Sequence, residues 1–217
     1  MRILVTAGPT REPIDPVRFI SNRSSGRMGF AVARAARARG HDVTLVCGPV
    51  TLGTPPGVRR VNVTTAAEML AVVREELPAV EALVMSAAVA DWRPAKAADR
   101  KIKKNAGRAT LELERTDDIL LATRGLREGR VVTVGFAAET GDPEPEARRK
   151  LAGKGLDLIV ANDVMRPGAG FEVDTNAVTF ISARGETWRT DVESKDAIAS
   201  RIVEWVEAGR ARLNCSP

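Results

Sequence analysis

The amino-acid sequence predicts an α/β fold in which a doubly wound, mostly parallel sheet carries a small antiparallel addition. Short apolar runs rich in β-branched residues alternate with segments of helical periodicity along most of the chain. This alternation is typical of parallel sheets covered by helices on both faces. Near the C-terminus two strand-like runs flank a glycine turn and indicate a hairpin. Because we find no internal repeat or linker, we expect residues 1–217 to form a single domain.

The first half of the chain supplies the predicted start of the sheet. Its first run, 3–6, is apolar and ends in a Gly-Pro turn, as expected of a buried strand. Gly40 predicts the C-cap of the first helix, and Thr65 with Glu68 predicts a capping box for the second. The predicted strands are 3–6, 41–47, 60–63 and 82–86, and the predicted helices are 27–39 and 65–77.

The second half continues the alternation. Either Thr116 or Asp117 is expected to cap a short helix, and Ser194 is expected to cap a last helix that runs through Val206. The predicted strands are 109–114, 131–134, 156–161, 177–181 and 186–190. The predicted helices are the short one that ends at about 123, then 143–153 and 194–206. Such a sheet is Rossmann-like in outline, and its ligands bind beyond the carboxyl ends of the strands.

The composition excludes several classes of protein. The chain has 44% apolar and 28% charged residues, which is ordinary for a globular domain. We find neither an apolar run of the roughly 20 residues that cross a bilayer nor a signal peptide. Cys47 and Cys215 are too few for a disulfide framework or a metal site, so we expect a reducing, cytoplasmic compartment and no membrane partner. His41 is the lone histidine and is expected to be an exposed structural residue.

The net charge of +5 is compatible with an anionic ligand. Aromatic residues make up only 4% of the chain and Tyr is absent, so stacking platforms for single-stranded nucleic acid are scarce. We therefore favour a small anionic substrate over nucleic acid, although an Arg-rich nucleic-acid module stays open as an alternative. Of 33 basic residues only seven are lysines, and all but the last fall in two short segments: Lys96, Lys101, Lys103, Lys104, Lys150, Lys154 and Lys195.

Three irregular segments follow predicted strands and would meet at one edge of the sheet. The first, 6–29, is too long for a simple connection and ends in Ser-Ser-Gly at a helix start. It is either a phosphate cradle or a long helix cap. The second, 86–94 with the Lys-Ile-Lys-Lys run at 101–104, is either a ligand-binding segment or a solvated basic loop. The third, 135–140, precedes Lys150 and Lys154, whose spacing places them on one helix face or simply on a surface.

Together these segments resemble the phosphopantothenoylcysteine synthetase (phosphopantothenate–cysteine ligase) family of bacterial coenzyme A biosynthesis, the CTP-dependent ligase domain of a bifunctional protein. The matching stretches are Arg-Glu-Pro-Ile-Asp-Pro-Val-Arg, Ile-Ser-Asn-Arg-Ser-Ser-Gly, Ala-Ala-Val-Ala-Asp-Trp-Arg-Pro, Lys-Ile-Lys-Lys, Gly-Phe-Ala-Ala-Glu-Thr and Lys-Gly-Leu-Asp-Leu-Ile-Val-Ala-Asn-Asp. They span residues 3–164 in the family order.

The resemblance implies a two-step ligation. The carboxylate of 4′-phosphopantothenate attacks the α-phosphate of CTP and releases pyrophosphate, and the amine of L-cysteine then displaces CMP from the acyl cytidylate. Mg²⁺ is expected with CTP, and a homodimer that completes its site across the interface is implied. The flavin-dependent decarboxylase half of many relatives is expected to be absent, so we expect no flavin. The metal ligands and the choice between CTP and ATP stay open.

The resemblance also implies site residues. Lys101 matches the stabiliser of α-phosphate charge in the first step, and Asn22, Arg18 and Ala88 match positions tied to the acyl cytidylate. Asp117 departs from the usual proline of the family, which places its side-chain role in doubt. The implied nucleotide-binding residues are Ser24, Ser25, Gly26, Met85, Ser86, Ala87, Asp91, Asp117, Asp118, Ile119, Leu120, Phe136, Lys150 and Lys154.

A nicotinamide-dependent reductase of Rossmann type is the enzyme alternative. It is suggested by the α/β pattern alone. The chain lacks the G-x-G-x-x-G fingerprint after its first strand, and a chain without Tyr cannot use the Tyr–Lys pair of short-chain reductases.

Overall fold

The computed structural model of the chain describes residues 1–103, 109–163, 168, 170 and 173–214. The strands are β1 (Arg2–Ala7), β2 (Arg11–Pro13), β3 (Phe19–Ser21), β4 (Asp42–Cys47), β5 (Arg59–Asn62), β6 (Ala82–Met85), β7 (Trp92–Pro94), β8 (Leu113–Arg115), β9 (Val132–Glu139), β10 (Leu158–Asp163), β11 (Thr175–Asn176), β12 (Val178–Ser182), β13 (Thr187–Arg189) and β14 (Glu193–Ser194). The helices are α1 (Arg27–Ala38), α2 (Ala66–Glu76), α3 (Ile119–Ala122), α4 (Arg124–Arg127), α5 (Glu144–Gly153) and α6 (Lys195–Asn214).

Within the described residues, an eight-stranded sheet has the order β13-β12-β10-β9-β6-β1-β4-β5. All strands from β10 to β5 in this order pair in parallel. The edge strands β12 and β13 are antiparallel and form the predicted hairpin. The chain winds away from β1 in both directions, so the switch point lies between β1 and β6, where Thr6 pairs with Met85. The predicted doubly wound, mostly parallel sheet is confirmed.

The sheet buries an apolar layer on each face. On one face α1 and α6 pack together, and Phe30 and Ile202 from these helices belong to the same buried cluster as Val5. On the other face α2, α3 and α5 contribute Met69, Leu120 and similar residues to a second cluster. The central strands are buried on both sides, which explains why they are continuous apolar runs rather than alternating ones.

Two small antiparallel ribbons stand beside the main sheet. The segment between β1 and α1 folds back as the ribbon β2–β3, and β7 pairs with β8. The ribbons contact each other through β2 and β7. The long first segment is therefore more than a helix cap, because most of it builds a separate structural unit next to the carboxyl end of β1.

Several predicted boundaries differ from the observed ones. The expected strand 109–114 is limited to β8, whose residues are all exposed, because its alternation belongs to a ribbon rather than to a half-buried sheet. The N-cap of α3 is Asp118, not Thr116 or Asp117, and its carboxylate accepts from the amide of Leu121. The last helix extends beyond Val206 to Asn214, because the residues that follow are mostly good helix formers.

The expectation that His41 is exposed is wrong. His41 is buried, and its Nε2 lies 2.8 Å from a carboxylate oxygen of Glu207 in α6. This contact ties the turn after α1 to α6, so His41 is a structural residue of the helical layer. Cys47 is buried, whereas Cys215 and Lys104 lie outside the described residues. No described helix is long and apolar enough to cross a bilayer.

Candidate active site

A cavity of about 690 Å³ opens at the carboxyl ends of β1, β6 and β9. This is the position at which doubly wound sheets bind ligands. It is lined by Asn22, 24–29, 85–89, Asp91, Trp92, 115–120, 136–138, Lys150, Lys154, Asn162, Gly170, Asn176 and Lys195. Apart from Arg18 and Lys101, every site residue implied by the resemblance contributes to this wall.

The first wall is the start of α1, which is packed very closely against β1. Gly26 is the N-cap residue and has a φ of 79°, a conformation that favours glycine. A Cβ on Gly29 would lie 2.6 Å from both the Ala7 Cβ and the Ser86 Oγ. Among the described residues, no side chain caps α1. The amide-rich helix start instead faces the cavity, as an anion site requires.

The second wall is the end of β6, which is fixed to β1 by side-chain hydrogen bonds. Ser86 Oγ donates to the carbonyl of Thr6 at 2.8 Å, and Thr6 Oγ1 accepts from the amide of Ala87 at 3.1 Å. The amide of Ala88 donates to the carbonyl of Gly8 at 2.9 Å. The backbone of 85–88 is therefore held rigidly at the switch point.

Asn22 connects the ribbon β2–β3 to this second wall. Its Nδ2 donates to the carbonyl oxygens of Ala88 at 3.1 Å and Val89 at 3.2 Å. Asn22 and Ala88, which the resemblance links to the acyl cytidylate, are thus direct neighbours at the cavity. Both amide hydrogens are engaged in these bonds, so Asn22 holds the 88–89 backbone in place.

The opposite wall carries the two lysines of the third segment. Lys154 Nζ lies 2.8 Å from Asp118 Oδ2, and Lys150 Nζ lies 2.6 Å from Glu139 Oε1. Both residues line the cavity, so these lysines are not merely on a surface. Each is half-buried and paired with a carboxylate.

Arg18 and Lys101 lie away from this wall. Arg18 forms an ion pair with Asp15, and its Nη2 also donates to the carbonyl of Ile102 at 3.0 Å. The carboxylate of Asp15 accepts from the amide of Ile102 at 3.1 Å. The Arg18 guanidinium, and to a lesser degree the amide of Ile102, hold the pKa of the Asp15 carboxyl well below its usual range. The pair clamps the exposed segment that carries Lys101.

The part of the wall that precedes and begins α6 was not predicted from the sequence. Lys195 is only 6% exposed, and it donates to the carbonyls of Gly170 (2.9 Å) and Val173. Burial, and to a lesser degree the positive charge of Arg27, lower the pKa of the Lys195 ammonium. One signal was available, because Lys195 is the lysine that falls outside the two lysine-containing segments.

The comparison with known proteins covers nearly the whole described chain. The sequence pattern of the DNA/pantothenate metabolism flavoprotein C-terminal domain matches residues 1–209. The coenzyme A biosynthesis bifunctional protein CoaBC of Vibrio cholerae is 48% identical over 207 residues, which are 94% of this chain and 52% of that protein. The protein of the same name from Escherichia coli K12 is 51% identical over 189 residues, covering 86% of this chain and 47% of its own length.

A solved structure agrees with these relatives. The C-terminal domain of a coenzyme A biosynthesis bifunctional protein CoaBC superposes with a TM-score of 0.83 at 38% identity, covering 97% of this chain and 96% of that domain. The chain spans about half the length of the curated relatives it matches. The resemblance drawn from the motifs is therefore confirmed, and the chain belongs to the family of the DNA/pantothenate metabolism flavoprotein C-terminal domain.

Proposed function

We propose that this chain is a phosphopantothenate–cysteine ligase domain in coenzyme A biosynthesis. It joins 4′-phosphopantothenate to L-cysteine with CTP and gives 4′-phosphopantothenoylcysteine, CMP and pyrophosphate. The observation that carries the proposal is the convergence of three separate sequence segments, 22–29, 85–91 and 117–154, on one cavity at the switch point. The family membership of the chain supports the same reaction.

The nucleotide is proposed to lie across the cavity between α1 and the lysine wall. The start of α1 offers backbone amides to phosphate oxygens, and Lys150 and Lys154 offer positive charge from the opposite side. Asp91, Phe136 and the segment 117–120 are assigned to the cytidine. The reaction needs cations and oriented donors where charge develops on phosphoryl and acyl oxygens, rather than a nucleophilic side chain.

The acyl end of the intermediate is proposed to lie at Asn22 and Ala88. In the second step the cysteine amine attacks the acyl carbon, so negative charge builds on the acyl oxygen before CMP leaves. Asn22 Nδ2 can donate to that oxygen by exchanging one of its two carbonyl partners. Through its contact with Ile102, Arg18 acts on the segment that carries Lys101.

Lys101 is proposed to act in the cavity of a partner subunit. It does not line the cavity that the described residues of its own chain form, and its side chain is exposed. The ribbons next to it expose large apolar side chains, among them Phe19, Trp92 and Leu113, and Ile102 is exposed as well. Large apolar side chains exposed on neighbouring ribbons are typical of an interaction surface. A homodimer that pairs these ribbons would bring Lys101 to the neighbouring site.

Mg²⁺ is expected to accompany the triphosphate. It usually binds through one or two carboxylates together with substrate phosphates. Asp91 and Asp117 line the cavity, and the described residues contain no cluster of three or more His, Cys, Asp or Glu that could hold a metal by themselves. This donor set fits a cation that arrives with the nucleotide, where it would neutralise phosphate charge.

Pyrophosphate release tests the proposal. The protein is incubated with CTP, Mg²⁺ and 4′-phosphopantothenate, with and without L-cysteine, and ATP is run in parallel. We expect about one equivalent of pyrophosphate per site without cysteine and continuous turnover with it. Lys101→Gln is expected to abolish the first release. If no pyrophosphate appears under either condition with either nucleotide, the proposal is wrong.

A further inference from the structure

Arg127 lies behind the cavity rather than in its wall. It ends α4 and is 1% exposed. Its guanidinium donates to three main-chain carbonyls: Nη2 to Leu120 at 2.8 Å and to Lys154, and Nη1 to Gly155 at 2.6 Å. A buried guanidinium is costly unless its donors are hydrogen-bonded. Here Nη1 and Nη2 are bonded, and Nε is buried without a partner among the described residues.

Two of the three carbonyls belong to cavity-lining residues from different segments, Leu120 and Lys154, and the third belongs to Gly155, which follows Lys154. Leu120 is in the short helix after Asp118, and Lys154 follows the last residue of α5. The guanidinium of Arg127 bonds to both segments and therefore fixes the distance between them. The planar guanidinium suits this task because its donors are held in a rigid fork.

A second bond joins the same two segments at the cavity surface. This is the ion pair between Lys154 Nζ and Asp118 Oδ2. A nucleotide phosphate that recruits the Lys154 ammonium competes with that carboxylate, so this surface bond weakens when the ligand binds. The bonds of Arg127 use main-chain oxygens and are not exposed to this competition. They keep Lys154 at a fixed distance from the 118–120 segment.

We propose that Arg127 is a positioning residue for the nucleotide: it sets the affinity for CTP by holding the 118–120 segment and Lys154 at a fixed spacing. The inference rests on the proposed function, because it takes the cavity to bind a nucleoside triphosphate. Arg127 also occupies the Leu120 carbonyl.

The test compares Arg127→Met and Arg127→Lys with the unmodified protein. The measurements are the dissociation constant of CTP in the presence of Mg²⁺, by calorimetry, and the KM values for CTP and for cysteine. Loss of an indirect support is expected to weaken CTP binding roughly 3- to 30-fold, with KM for cysteine nearly unchanged. Arg127→Lys keeps a cation and some donors, so its CTP affinity should lie between those of Arg127→Met and the unmodified protein. It is the variant to measure if Arg127→Met does not fold.

Two control variants separate positioning from general destabilisation. Arg130 also donates to three main-chain carbonyls, those of Leu77, Pro78 and Leu126, none of which lines the cavity. Arg130→Met should therefore leave CTP affinity unchanged. Val73→Ala opens a space in the buried face of α2 and reports what a lower melting temperature alone does to affinity.

The outcomes distinguish the two proposals. Weaker CTP binding confined to the Arg127 variants supports the positioning role. CTP affinity in the Arg127 variants equal to that of the unmodified protein, or reduced no more than in the two controls, overturns it while leaving the ligase proposal intact. If the unmodified protein binds neither CTP nor ATP, the proposed function fails and the inference fails with it.

Discussion

The side-chain nitrogen Nδ2 of Asn22 lies 3.1 Å from the carbonyl oxygen of Ala88 and 3.2 Å from that of Val89. A donor is required here, because both neighbours are acceptors. Asn22→Asp places an anion against two carbonyl oxygens and removes the donor for the acyl oxygen. We expect this variant to release pyrophosphate and accumulate acyl cytidylate, with transfer to cysteine slowed by about 10²-fold or more. Rapid-quench measurement of CMP and amide product would show the block, and normal transfer would refute the assigned role.

Asp15 predicts a pH-dependent stability. Because its folded-state pKa is depressed, its contribution is fully present above the unfolded carboxyl pKa of about 3.9 and is lost as the pH falls below that value toward the folded pKa. Thermal unfolding between about pH 3 and pH 7 should therefore show Asp15→Asn less stable than the unmodified protein at neutral pH, with the difference shrinking below about pH 4. A difference independent of pH would contradict this account. The exposed Asp99 in the same region offers Asp99→Asn as a control.

Gly29 predicts a steric effect on both stability and the site. A Cβ there would meet Ala7, Ser86 and the Thr6 carbonyl at 2.6–2.8 Å, and the last is main chain that cannot move without disturbing β1. Gly29→Ala should cost about 1–3 kcal/mol of unfolding free energy and weaken CTP binding by shifting Ser86. Gly125→Ala, where no atom lies within 4 Å, should be neutral or slightly stabilising. Equal stability of the two variants would show that α1 can move away from β1.

The placement of Lys101 predicts complementation between inactive subunits. In a dimer whose Lys101 serves the partner's cavity, a mixed dimer of Lys101→Gln and Asn22→Asp chains contains one site with both native residues. Equal mixing after subunit exchange should then restore up to about one quarter of native activity. If Lys101 serves its own cavity, each site keeps one lesion and the mixture stays inactive. Light scattering would confirm the dimer, and Phe19→Asp should dissociate it.

The parts of the fold that depend on local pattern were predictable from the sequence. The apolar run at β1, the N-cap at Thr65 and the hairpin β12–β13 each follow from a few adjacent residues, and the structure confirms all three. Of the predicted capping box only the Thr65 half forms, because the Glu68 carboxylate accepts from the amide of Thr64 instead. The residues proposed to bind the nucleotide came from motif resemblance, and they meet at one cavity because the ends of parallel strands share an edge.

Long-range side-chain pairing was not predictable. The burial of His41 depends on Glu207, which is 166 residues away, and Asp15 is bonded to Ile102 across 87 residues. The support that Arg127 gives to Lys154 likewise arises only when folding brings the end of α4 next to the residue that follows α5. Neither the periodicity nor the composition of the sequence indicates which distant residues will meet. The clamp on the Lys101 segment and the support that Arg127 gives behind the cavity could therefore be found only in the structure.

The proposed acyl cytidylate is tested most directly by following an oxygen atom. The carboxylate of 4′-phosphopantothenate is labelled with ¹⁸O, and the products formed with CTP, Mg²⁺ and cysteine are examined by mass spectrometry. Attack of the carboxylate on the α-phosphate leaves one labelled oxygen on CMP once the amide forms. We therefore expect ¹⁸O in CMP and unlabelled pyrophosphate. Label in orthophosphate together with CDP would indicate an acyl phosphate instead and would contradict the mechanism proposed for this cavity.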